Sequence, residues 1–267
     1  MALIDYPRVH YKKNPLLEVV CQVRYPRILS IEGEVPSVFQ NKIIGQFPIL
    51  QTANEYQQQV SVDMTNDNPI PHITQIEKRP NYAFVSDDEK WKVNLTSTFL
   101  SFSTIHYSSW EEFYKKIASL IEIFQGIYPT PFYERVGIRY IDAFTRSKLN
   151  LDNIGWQELI QLSALGFLSN DNIKDNIKSF TSSTEFDAGN NLFARINTSL
   201  GYVNFGDIQA QLPERELSFI VDSDIFAFKM KKEELTSRFE NLHKVSTNIM
   251  RSVITDTLHN AMEPESI

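Results

Sequence analysis

Residues 134–144 read ERVGIRYIDAF and set Arg139, Tyr140 and Asp142 within one short, otherwise largely apolar run. A guanidinium is a planar fork that grips an anion or a carboxylate through two parallel hydrogen bonds. A second run, EVVCQVRY at 18–25, carries Arg24 and Tyr25 in the same order. Read as strands, the central run turns Val136, Ile138 and Tyr140 inward and Arg139 to the other face. Two chemistries follow. Arg24 and Arg139 form a pseudo-symmetric pair that binds an anion or a partner's carboxylate, or each is neutralised on its own sheet by an acid such as Glu18, Glu134 or Asp142. Neutralisation is the commoner fate of a charge on a half-buried sheet. Alternatively, Arg139, Tyr140 and Asp142 stand at the mouth of a cavity enclosed between a helix and the sheet, which takes a small ligand.

The remaining chemistry-bearing residues point less far. Asp222 and Asp224 in VDSDIF share a strand face, as oxygen ligands of a hard cation would. No further acid or histidine stands at ligand spacing, so a solvated face or strand end is expected and no metal is assigned. The histidines are His10, His72, His106, His243 and His259; none forms H-x-x-x-H or H-E-x-x-H. His243, one step off the apolar stripe of a C-terminal helix, reads as a general base or as a half-buried surface histidine. Cys21 alternates into the apolar face of a strand and reads as core. Asp87, Asp88 and Glu89 form a solvated hairpin tip. Lys229, Lys231, Lys232 and Arg238 open the last helix, where Glu233 and Glu234 offset them. Phosphate-loop, dinucleotide-binding and nucleophile-elbow motifs are missing, so P-loop hydrolysis, dinucleotide chemistry and α/β-hydrolase chemistry have no support. No catalytic residue and no cofactor is assigned, and the balance leans away from an enzyme.

These residues need elements to position them. LLEVVCQVRYP (16–26) alternates as a strand closed by Pro26, and 34–48 reads as a short helix with Val35, Phe39 and Ile43 at i+4. β-type segments follow at 57–64, 73–78, 82–87, 90–96 and 99–105, separated by NDNP, RPN and DDE turns. Ser109 and Glu112 make a capping box for a helix over 109–127, with Phe113, Ile117, Leu120, Ile121 and Phe124 on one stripe. The order then restarts: a strand at 132–144, a helix over 152–167, strands at 177–187, 192–201, 202–206 and 216–228 with a DAGNN hairpin turn, and a long helix from 231 to 261. At 1.5 Å per residue that last helix would be about 45 Å long. The fold class is therefore α+β, built from two similar modules, 1–128 and 129–267. Each runs strand, helix, antiparallel meander, long helix, with helices packed on curved antiparallel sheets. Arg24-Tyr25 aligns with Arg139-Tyr140, and Gln22 with Gly137.

Composition bounds the rest. The chain has 267 residues, net charge −7 and a pI of about 5.3. An acidic surface disfavours stand-alone nucleic-acid binding, which needs many Lys and Arg to displace counterions. Eighteen Phe and eleven Tyr against nine Gly favour sheet. With one cysteine, no intrachain disulfide is expected, and with no leader-like or membrane-spanning stretch the expectation is a cytoplasmic protein.

NPLLEVVCQVRYP, ERVGIRYIDAF and a C-terminal helix carrying NLH (241–243) and ITD (254–256) resemble a sporadically distributed bacterial and archaeal family of about this length, known mainly as proteins of unknown function. The family often carries Asn at the position of Asp142. The resemblance implies genes carried on mobile elements and so a place in an antiphage-defence or toxin–antitoxin locus. Together with the missing catalytic motifs, it makes the first expectation a non-enzymatic interaction or regulatory protein. Such a protein docks another protein encoded in the same locus, or a second copy of itself, through Arg24, Tyr25, Arg139, Tyr140, Asp142 and His243. The alternative is a small-ligand binder or enzyme with its cavity near Arg139, Tyr140 and Asp142.

Overall fold

The computed structural model describes residues 4–63, 70–203 and 216–266. Strands β1 (Val9–Tyr11) and β2 (Leu16–Arg24) come first. In β2 the alternation works as read: Val19, Cys21 and Val23 are buried, whereas Arg24 on the other face is exposed. Helices α1 (Leu29–Gly33) and α2 (Ser37–Ile43) follow and bury Ile31, Phe39 and Ile43. The helix is shorter than the 34–48 run. Val35 is exposed, and Pro36 precedes the first turn.

Strands β3 (Ile49–Asp63) and β4 (Ile70–Val85) form one long hairpin that absorbs three segments read separately. The RPN signal at 79–81 lies inside β4. Before Tyr82, β4 has β3 as its neighbour on one side only, where a strand tolerates proline. The NDNP turn and Met64 lie outside the described residues. Strands β5 (Trp91–Leu95) and β6 (Phe99–Thr104) lead into α3 (Trp110–Ile127). Ser109 caps α3, its Oγ accepting from the Glu112 N–H at 3.2 Å, and the expected apolar stripe is buried.

After β7 (Tyr133–Phe144), the helix expected over 152–167 is replaced by two single turns, α4 (Trp156–Leu159) and α5 (Leu162–Leu165). Between them Ile160 is extended and bridges Ile254, and Gln161 N–H donates to the Val253 carbonyl at 2.8 Å. Strands β8 (Thr181–Gly189), β9 (Leu192–Tyr202) and β10 (Leu217–Met230) complete the sheet. The segments 192–201 and 202 are one strand; 204–206 lie outside the described residues. The β8–β9 turn places Gly189, Asn190 and Asn191 at positive φ, which glycine and asparagine tolerate. The single helix expected over 231–261 is also corrected. Helix α6 (Leu235–Val253) stops where Ile254 turns extended into the core, and Thr255 caps a separate α7 (Asp256–Ala261), which leads to β11 (Pro264–Ser266). Helix α6 is therefore about 28 Å long.

Among the described residues, nine strands form one antiparallel sheet in the order β3-β4-β5-β6-β2-β7-β10-β9-β8. The two halves of the chain thus meet in a continuous sheet instead of forming two sheets. Their contact is β2 against β7, from Leu16↔Asp142 to Arg24↔Arg135, with Gln22 opposite Gly137. Strands β1 and β11 pair separately.

Helices α3 and α6 pack on one face of this sheet. Residues from β2, β4, β5, β6, β7, β9, β10, α3 and α6 share one apolar cluster. A second cluster lies at the other end of β7 and β10 and takes in Phe144, Phe219, Val221, Leu159, Ile160, Val253, Ile254 and Leu258. The break between α6 and α7 serves this second cluster, because a continuous helix would carry Ile254 away from Ile160.

Phe102 is fully buried and stacks on Trp91 and Phe113, with ring centroids 5.4 and 5.1 Å away. Phe228, on the opposite sheet face, is 53% exposed. Phe102→Ala is therefore expected to cost about 3–5 kcal/mol, and Phe228→Ala about 0.5 kcal/mol or less. Urea denaturation of the two variants checks this, and comparable losses would contradict the assignment of the two faces.

Candidate functional site

Asp142 lies on the inward face of β7, two residues beyond Tyr140 and two before Phe144. Tyr140 belongs to the first apolar cluster and Phe144 to the second, so Asp142 sits in the seam between them. The elements around it are polar at the same level. Ser223 of β10 falls between Val221 of the second cluster and Ile225 of the first, and Ser246 and Asn248 of α6 are buried there too. A pocket of about 160 Å³ opens on this seam. Its walls come from residues 6–16, from Tyr107–Glu111, from Tyr140 and Asp142, from Ser223, and from α6 between His243 and Arg251.

The N-terminal segment is strapped over the opening. Tyr6 N–H donates to Asn248 Oδ1 at 3.0 Å, and Lys244 pairs with Asp5 at 2.6 Å. Arg8 pairs with Glu111 at 2.9 Å, and Tyr11 Oη lies 2.7 Å from His259 Nδ1. Strand β1, carrying His10 and Tyr11, is anchored by β11.

Inside, the aromatic groups are in contact. Tyr140 Oη lies 2.8 Å from His243 Nδ1, and the Tyr107 ring meets the Tyr140 ring edge-on, 6.1 Å between centroids. Trp110 stacks flat on the His243 ring, 4.3 Å between centroids and 5° between planes. Burial, helped by the nearby Arg8 charge, pushes His243 down to about 4, so at neutral pH it is an uncharged imidazole. Burial likewise raises Tyr140 and Tyr107 above the ordinary tyrosine range and Tyr11 to about 12.

Asp142 is 5% exposed, and among the described residues its carboxyl group makes no hydrogen bond or ion pair. Burial alone raises its carboxyl to about 7. The nearest candidates for a counter-ion are engaged elsewhere. Arg8 is on Glu111, and Arg251 is on Asp256 and over the Tyr6 ring.

The structure thus brings together three of the residues singled out in the sequence, Tyr140, Asp142 and His243, and separates the others. Tyr25 is core: its hydroxyl donates to the Thr96 carbonyl at 2.8 Å and its ring stacks on Phe124. Arg139 is on the opposite face, held by Asp222 in a two-pronged pair of 2.6 and 2.7 Å. Its acid is therefore Asp222, not Glu18, Glu134 or Asp142. Asp224 is taken by Arg135 at 2.7 Å. Both carboxylates considered as oxygen ligands are occupied by arginines, and among the described residues no group of three His, Cys, Asp or Glu could hold a metal ion. Arg24 is exposed on that same face beside a shallow cleft that also meets Arg135, Arg195 and Phe228. Sequence reasoning missed Tyr11, Tyr107 and Trp110 as pocket walls. Trp110 was visible only as the second residue of the S-W-E-E cap.

No helix of the described residues is long and apolar enough to cross a membrane. Comparison with protein-family models, with curated proteins and with solved structures finds no match to this chain.

The two titrating groups pull stability in opposite directions. Folded Asp142 keeps a proton that the unfolded chain gives up near 3.8, so its contribution is full below that pH and lost as pH rises through about 7. Folded His243 refuses a proton that the unfolded chain takes near 6.5, so its contribution is full above that pH and lost as pH falls through about 4. Between these limits the two slopes cancel. Asp142→Asn should uncover a stability that rises with pH from about 4.5 to 6.5 relative to wild type, by about 1–3 kcal/mol. His243→Gln should uncover the opposite slope. Urea titrations at several pH values measure both, and parallel profiles for all three proteins would contradict the burial of these groups.

Proposed function

We propose that this chain is a small-ligand-binding protein whose site is the seam pocket bounded by Tyr11, Tyr107, Trp110, Tyr140, Asp142 and His243. One observation carries the reading: a nearly fully buried carboxyl group with no partner faces a pocket walled by aromatic rings. Burying such a group unpaired is costly, and a fold tolerates that cost where a bound molecule completes the pairing. The volume matches a ligand, or a ligand head group, about the size of benzene, which occupies a cavity of about 150 Å³ in an engineered case. The start of the strap, residues 5–8, is held by two exposed ion pairs, individually worth little, and by the Tyr6 hydrogen bond to Asn248. It can therefore yield to a ligand without disturbing the sheet.

A second reading retains docking of a protein partner, with a role in a defence or toxin–antitoxin locus. Its support is the sheet face opposite the helices, where exposed Phe228 packs against Phe193 and Phe226 near Arg24. Aromatic and arginine side chains are the usual anchors of interfaces. Affinity purification from the native host tests it: a stoichiometric partner lost on Phe228→Ala supports docking, and its absence removes it.

We also infer that the two halves descend from one module. Each contributes a central strand, β2 or β7. The strand beside it, β6 or β10, runs directly into the long helix. The helices begin at Trp110 and Leu235, and the aligned arginines of β2 and β7 meet equivalent partners, Arg24 opposite Phe99 and Arg139 opposite Asp224. The helix starts, 110 with 235, and the partners of the two arginines, 99 with 224, have the same spacing.

Ligand-observed and protein-observed NMR with a library of fragments of about six to ten heavy atoms test the pocket. Thr247 is exposed at its rim, so Thr247→Trp blocks the opening without entering the core. Fragments are expected to bind wild type with shifts at Tyr140 and His243 and to lose binding in the blocked variant. Absence of hits, or hits indifferent to the block, would overturn the reading.

A further inference from the structure

We propose that the ligand of the seam pocket is a protonated amine, its ammonium group seated against the Asp142 carboxylate and its apolar body between the rings of Tyr11, Tyr107, Trp110 and Tyr140. This rests on the reading of the pocket as a ligand site and adds its chemical class. The first support is charge balance. Every arginine and lysine near the pocket already has an acid: Arg8 is on Glu111, Arg251 on Asp256, and Lys244 on Asp5; His10, also on the wall, is exposed. The imidazole of His243 is neutral and engaged with Tyr140, and that of His259 is engaged with Tyr11. Asp142 is the one wall carboxyl, among the described residues, that no cation meets. Its depth matters as much as its charge. An ion pair at an exposed carboxylate is worth little, whereas a cation that reaches a desolvated one removes the cost of its isolation.

The second support is the wall. Aromatic faces attract cations and repel anions, and they do so most strongly where water is excluded. Four rings line the pocket around Asp142; the Tyr140 hydroxyl is tied to His243, and the Tyr107 ring is packed between Phe113 and Tyr140, which holds both rings in place. An anionic ligand would face the carboxylate. A neutral one would leave it without a counter-charge.

Three molecules of nearly equal size separate the possibilities: benzylamine, benzyl alcohol and benzoate. Binding of each is measured by ligand-observed NMR at pH 8, where Asp142 is ionised, to wild type, Asp142→Asn and Thr247→Trp. Asn matches Asp in shape, and circular dichroism establishes that the variant is folded. The expected result is that benzylamine binds wild type at least about tenfold more tightly than benzyl alcohol, about 1.4 kcal/mol, that benzoate does not bind, and that the preference disappears in Asp142→Asn. Equal or tighter binding of the alcohol, lost on Thr247→Trp, would overturn the amine class and leave the pocket standing. Binding of benzylamine that survives Asp142→Asn would overturn the role of the carboxylate. Failure of all three, together with failure of the fragment library, would overturn both readings.

Discussion

The antiparallel pairing of β2 with β7 is the constraint on which the rest of this structure depends. Each is the first strand that its half of the chain gives to the large sheet, and their ladder joins five strands on one side to four on the other. The side-chain period of two then decides every residue's fate on this ladder. Val19, Cys21, Val23, Val136 and Ile138 turn toward α3 and α6, and Arg24, Arg135 and Arg139 turn away. A slip of one residue would send arginines into the apolar cluster. Gly137 sits at the middle of the ladder opposite Gln22, where a Cβ would come within 2.7 Å of the Arg135 guanidinium. That guanidinium lies over the Phe226 ring and bonds Asp224, so the narrow glycine keeps a cross-strand pair in place.

The inward row of β7 also carries the conflict from which function is read. It runs Val136, Ile138, Tyr140, Asp142, Phe144, apolar except for one hydroxyl and one carboxyl. An alternating strand could place another apolar residue at 142 and fuse the two apolar clusters. Instead Asp142, Ser223, Ser246 and Asn248 keep them apart, and the seam stays open. The strand thus gives up local packing energy at the point where β7, β10, α6 and the N-terminal segment converge.

Much of the architecture was legible in the sequence, and the pocket only in part. The alternations in 16–26 and 132–144, the capping box at Ser109 and the stripe of α3 reflect local physics, and the corresponding elements form as read. The long hairpin β3–β4 was cut into pieces because Pro80 reads as a turn until one knows that its strand has a single neighbour there. The break after Val253 was hidden because Ile254 fits a helical stripe as well as it fits a bridge to Ile160. Asp142 and His243 were visible as odd residues in apolar patterns. Tyr11, Tyr107 and Trp110 were not, because they reach the pocket from separate segments and nothing in their own neighbourhoods requires a ligand. Arg139 shows the same limit: its acid, Asp222, is supplied by a strand that becomes its neighbour only through the sheet order.

The measurement that tests this account most directly is the titration of the Asp142 carboxyl carbon by NMR in the folded protein, with Asp142→Asn to assign the signal. A seam pocket that buries this group without a partner predicts a midpoint near pH 7, moved downward when an amine occupies the site. A midpoint near the ordinary value of 3.8 would mean that the carboxylate is hydrated or paired, and would contradict both the seam and the site built on it.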